Sequence, residues 1–264
     1  MRGRLAWIAG FSVVCSPVSA ALGQPAPTAQ PAPQIHKEWA LGKQVAQELD
    51  SRDGRIDDPA LMQYLQRIEN RLAAAAGQKP LEIRVTRSSE EYATVLANGV
   101  QYLSAGLAKR LENEMELAGL LAHQLAHRQV AGGTTAQIAS IPLYVPSCVL
   151  SPFGIPGGIG QARNREQQAT GQALGYLKAA GYDPTGVLDL FSKLAYEHPA
   201  WTQAIVSEDL LSLRNAIESE EPPPGGYRVS TNEFSGQHDY LLMVLAATRK
   251  GPSLLSSGPV LTRR

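Results

Sequence analysis

Leu121-Ala122-His123-Gln124-Leu125-Ala126-His127 is the stretch on which the reading of the fold turns. Its two histidines stand four apart among leucine and alanine. On an α-helix that spacing puts both imidazoles on one face, about one turn from each other. Two such rings can bind one metal ion, and zinc suits them. The residue between them decides the chemistry. The hydrolytic pattern at this spacing is His-Glu-x-x-His, in which the glutamate takes a proton from water and hands it to the leaving amine. Here that position is Gln124. A neutral carboxamide can orient a water molecule but cannot accept its proton.

Upstream of the histidines, Glu112, Glu114 and Glu116 suit a helix N-terminus, and Leu117, Leu120, Leu121 and Leu125 supply an apolar face. Leu81-Glu82-Ile83-Arg84-Val85 alternates like a half-buried strand, and Val100-Gln101-Tyr102-Leu103, after the turn signal Asn98-Gly99, predicts a second. Further helices are predicted from about Glu38 to Asp50, from Pro59 behind the cap Asp58 to near Gly77, from about Asn164 to Ala180, and after Tyr182-Asp183-Pro184 through Leu188, Leu190, Phe191 and Leu194. The fold class is therefore α+β, mainly helical, with a small and mostly antiparallel sheet.

A chain of 264 residues with 44% hydrophobic content sustains one substantial core. Lys plus Arg and Asp plus Glu balance at 24 each without long single-sign runs, which gives no electrostatic basis for nucleic acid as a partner. Arg2 and Arg4 precede an apolar run from Leu5 to Cys15, which exits through Val18-Ser19-Ala20. This predicts an export signal over residues 1–20, with cleavage after Ala20 or after Gly23, and a periplasmic or secreted protein. An uncleaved anchor helix is the alternative, although the run is shorter than the roughly 20 residues that a bilayer span needs.

Residues 21–35 are rich in Pro and Ala and read as a tether. The domain is expected over 36–218. Glu220-Glu221-Pro222-Pro223-Pro224-Gly225-Gly226 then opens a C-terminal tail over 219–264. No charge occurs between Arg128 and Arg163, but Pro142, Pro146, Pro152 and Pro156 there, with Gly154, Gly157, Gly158 and Gly160, argue for an apolar cover over the site and against a transmembrane span. Contact of that segment with a membrane stays open. Signal removal would leave Cys148 alone, so no intrachain disulfide is expected.

Several blocks in order resemble the zinc metallopeptidases of the CAAX-prenyl endopeptidase, HtpX and BepA type, the gluzincins with His-Glu-x-x-His and a later Glu-x-x-x-Asp. They are Asn98 to Leu107, Asn113 to His123, Arg165-Glu166-Gln167-Gln168-Ala169-Thr170, and Ala180-Gly181-Tyr182-Asp183-Pro184. The resemblance implies a zincin-like peptidase domain in which Glu166 is the third metal ligand beside His123 and His127. Thr170 stands where the family has the Asp that supports a histidine, a role whose loss costs about 10–100-fold in affinity or activity. A His-Pro pair further on aligns with Gln203 and Ala204, with His198-Pro199 as a rival match. His36 and His238 read as ordinary packed or solvated histidines.

These observations predict one zinc ion per chain on His123, His127 and Glu166, polypeptide as the partner, and peptidase activity lost or very low because Gln124 holds the position of the base. Two other readings stay open: an active metalloendopeptidase with a displaced base, and a metal-free scaffold. Val100, Gln101, Tyr102, Leu103 and Ser104 are the candidate strand for an extended polypeptide, as a sheet edge offering backbone hydrogen bonds, against the alternative of an ordinary strand.

Overall fold

The computed structural model describes residues 32–130, 158–197 and 207–249. Helix α1 (Ala32–Asp53) begins inside the stretch read as a tether, because Pro33 falls in the first turn, where a missing N–H does no harm. After strand β1 (Arg55–Ile56), α2 (Pro59–Ala75) starts as expected: the Asp58 carboxylate accepts the Leu61 N–H at 2.9 Å, and Pro59 follows the cap. Leu61, Leu65, Ile68 and Leu72 turn inward from it.

The sheet consists of β1, β2 (Glu82–Thr86), β3 (Ala93–Val95) and β4 (Val100–Ser104), in the order β1-β2-β4-β3. The outer pairs are antiparallel and the central β2–β4 pair is parallel, so the sheet is mixed. This order corrects the expectation that Val100, Gln101, Tyr102, Leu103 and Ser104 form an edge. A turn through Gly99, at φ +81°, folds β3 back along β4 and puts β3 outside it. β4 is therefore hydrogen-bonded on both sides, and all five of its residues are buried. Gln101 lies within that interior with neither amide atom hydrogen-bonded.

One face of the sheet carries α1, where Val45, Ala46 and Leu49 pack with Tyr92, Leu96, Val100 and Tyr102. Two buried tyrosines clamp that helix down. Tyr102 donates to Asp50 at 2.8 Å and accepts from Arg84 at 3.1 Å, while Tyr92 donates to Asp53 at 2.6 Å. The other face carries the main core, built by α2, the short α3 (Ala105–Ala108), α4 (Glu114–Val130), α5 (Gly158–Ala180) and α6 (Thr185–Glu197).

Helix α7 (Ser207–Glu218) adds Leu210 to this core. The segment read as a tail holds α8 (Asn232–Arg249), whose Phe234, Leu241 and Leu245 are buried in the same core. The Pro-Gly run before it makes a loop, and a loop does not say whether the chain beyond it packs back. No described helix is long and apolar enough to cross a membrane. Most of the apolar segment 129–162 and the predicted signal lie outside the described residues.

Candidate metal centre

α4 carries both histidines. Asn113 caps it by accepting the Glu116 N–H at 2.9 Å, and Glu116 in turn accepts the Glu112 N–H at 2.9 Å and a hydrogen bond from Lys193 at 3.1 Å. Glu114 is buried and accepts from Tyr64 at 3.1 Å and from Thr231. The acidic start of α4 thus does structural work at the helix end far from the histidines.

α5 lies against α4 and brings Glu166 to the imidazoles. Nε2 of His123 and Nε2 of His127 are 2.9 Å apart, and Oε2 of Glu166 is 3.1 Å from the first and 3.2 Å from the second. All three side chains are buried, and among the described residues they are the one group able to hold a metal ion. Tetrahedral zinc ligands about 2.0–2.1 Å from the ion stand roughly 3.3 Å from one another. The three atoms match that triangle to within a few tenths of an ångström, and two imidazoles with one carboxylate are a donor set that zinc takes.

The electrostatics favour the same state. Burial, then His127, depresses the His123 imidazole below its ordinary value against the pull of Glu166. Burial alone would raise the Glu166 carboxyl, but the charge of His127 and hydrogen bonds from both rings hold it down at about 2. A neutral His123 and an ionised Glu166 are the states that a metal requires of those two groups.

Around the ligands, Thr170 lies one turn beyond Glu166 on α5, and its hydroxyl is 3.4 Å from Nδ1 of His123. Gln124 is buried beside His123, and neither its carbonyl oxygen nor Nδ1 of His127 has a hydrogen-bond partner among the described residues. Gln168 points to solvent, away from Glu166. Gln203 lies outside the described residues. His238 stacks on Phe234 with ring centroids 5.6 Å apart and bonds the Lys109 carbonyl, in keeping with a packed role. Val100 to Ser104 are buried in the middle of the sheet, and the outermost described strand on that side is β3.

One neighbour was not legible in the sequence as part of the site: Phe191 of α6, whose ring packs edge-on against His123. Its spacing marked it only as a core residue.

The profile of peptidase family M48 matches residues 59–264, well over half of the chain. The chain belongs to peptidase family M48. It is similar to the beta-barrel assembly-enhancing protease of Yersinia pestis, at 26% identity over 185 residues, and to that of Escherichia coli strain K12, at 24% over 184 residues. Each match covers 61% of this chain and 38% of the relative, so the chain spans less than two thirds of the length of these curated relatives. The family's zinc dependence agrees with the ligand triangle of His123, His127 and Glu166.

Proposed function

We propose that this chain is an exported member of the M48 family that binds one zinc ion through His123, His127 and Glu166 and engages polypeptides, with peptidase activity lost or very low. The observation that carries the reading is a complete ligand triangle beside an amide: three ligand atoms lie within 3.2 Å of one another, while Gln124 occupies the position of the base. Zinc, when bound, polarises a peptide carbonyl and lowers the pKa of its water ligand. The protein's part of hydrolysis is to move a proton from that water to the departing amine, and Gln124 has no basic atom with which to do it. General acid–base groups contribute typically 10²–10⁴-fold, so the loss falls on turnover and leaves metal binding in place.

The relatives' name, a protease that enhances β-barrel assembly, supports a polypeptide as partner. The charged start, apolar run and small-residue exit of residues 1–20 support export.

The test compares wild type, Gln124→Glu and His127→Ala on an unfolded protein substrate, with zinc content measured and with and without chelator. Wild type is expected to carry zinc and show no chelator-sensitive turnover. Gln124→Glu, nearly isosteric, should regain some turnover, and His127→Ala should lose the metal. Chelator-sensitive turnover in wild type that Gln124→Glu leaves unchanged would mean another group acts as base. Equal zinc content in wild type and His127→Ala would rule out the site.

A further inference from the structure

A metal-ligating imidazole is ordinarily held by a hydrogen bond to its second ring nitrogen. The described residues supply little of that support. The Thr170 hydroxyl is 3.4 Å from Nδ1 of His123, long for a hydrogen bond, and Nδ1 of His127 has no partner among the described residues. His123 instead meets an aromatic ring. Its centroid lies 4.7 Å from that of Phe191, with the planes at 84°, and both side chains are fully buried.

The backbone puts that ring there. A Cβ on Gly119 of α4 would come within 2.6 Å of the Val187 nitrogen, and one on Gly186 of α6 within 2.4 Å of the Met115 carbonyl oxygen. The two helices therefore touch main chain to main chain. His123 stands one turn past Gly119, and Phe191 stands one turn past Val187. The closeness of the helices thus brings the ring against the imidazole, and a close-packed interior leaves that imidazole no room to turn. Edge-to-face ring pairs also attract beyond their buried area.

We propose that Phe191 is a positioning residue of the metal site, and that its ring, more than the Thr170 hydroxyl, holds the His123 imidazole in the ligating orientation. The inference rests on the zinc-site reading above and adds to it the element that compensates for the missing carboxylate support.

Zinc affinity is measured on the full chain by competition with a chromophoric chelator, in wild type, Phe191→Leu, Thr170→Val and Leu190→Ala. Leu190 is the control, since it is as deeply buried on the same helix but points to a different face. Phe191→Leu is expected to weaken zinc roughly tenfold. Leu190→Ala should lower the unfolding midpoint yet change zinc affinity by about twofold or less. Thr170→Val should lose less affinity than Phe191→Leu. In the metal-free protein, the His123 ring resonances should report one orientation in wild type and an average in Phe191→Leu.

Equal zinc loss in Phe191→Leu and Leu190→Ala would reduce Phe191 to a core residue and overturn the inference, as would a larger loss in Thr170→Val. A wild type that takes up no zinc would overturn the zinc-site reading instead. The ring resonances would then decide for or against Phe191 alone.

Discussion

Glu69 sits on α2 with one carboxylate oxygen accepting the Leu81 N–H at 3.0 Å and the other buried without a hydrogen-bond partner among the described residues. Burial raises its pKa to about 7 from an ordinary 4.5, only partly offset by that N–H and by the charge of Arg128. Between those two values the folded chain holds more protons than the unfolded one, so stability is greatest below 4.5 and falls as pH rises through 7. The difference is on the order of 3 kcal/mol. Glu69→Gln keeps the acceptor for Leu81 and removes the titration. Urea unfolding at about pH 5 and about pH 8 should show wild type losing stability relative to the variant between them, the variant being the more stable at the higher pH; the comparison cancels the opposite contribution of His123, whose imidazole is depressed. The same change with pH in wild type and variant would contradict this account. Nothing in the sequence marked Glu69, because an isolated glutamate on a helix is usually solvated and only the packing of β2 over α2 buries it.

At the scale of elements, the contact between α4 and α6 is sensitive to a single methyl group. Gly119 lies inside a helix, where propensity alone predicts that alanine would gain about 1 kcal/mol. The backbone of Val187 stands in the way of its methyl group. Since main chain cannot yield as a flexible side chain does, Gly119→Ala is expected to destabilise by about 1–3 kcal/mol and to weaken zinc by moving Phe191 away from His123. Denaturant midpoints and chelator competition check both effects, and a stabilised variant would show that the helices slide apart freely. The sheet carries a parallel lesson. Alternation and the Asn98-Gly99 turn correctly announce β2 and β4, but the three-residue β3 has too little pattern to be seen, and β3 is what turns β4 from an edge into an interior strand.

At the scale of the whole molecule, the core is continuous from α2 to α8, with Phe234, Leu241 and Leu245 closing it after the Pro-Gly loop. Helix α8 therefore packs with the peptidase-like helices. The proposed export sets where the mature chain begins. Processing behind Val18-Ser19-Ala20 or after Gly23 should yield protein from its native host that starts at Ala21 or Gln24, read by N-terminal sequencing. An intact Met1 in the cytoplasmic fraction would defeat that reading. Cleavage at either place leaves every described residue in the mature chain, because the described residues begin at Ala32.

The sequence by itself determined whatever depends on short-range spacing. The i,i+4 pair His123 and His127 with Gln124 between them, the capped start of α2 and the helical class all rest on periodicities and caps that a few consecutive residues encode. With the family's pattern it also nominated Glu166, which lies 43 residues from His123 and has no local mark of its own. Only the tertiary structure decided what meets across such distances: Glu166 against both imidazoles, Phe191 against His123 through two glycine contacts, β3 outside β4, and α8 folded onto the core. The physical reason is that these arrangements are set by which surfaces pack together, and a linear pattern shows that a surface is apolar without showing what covers it.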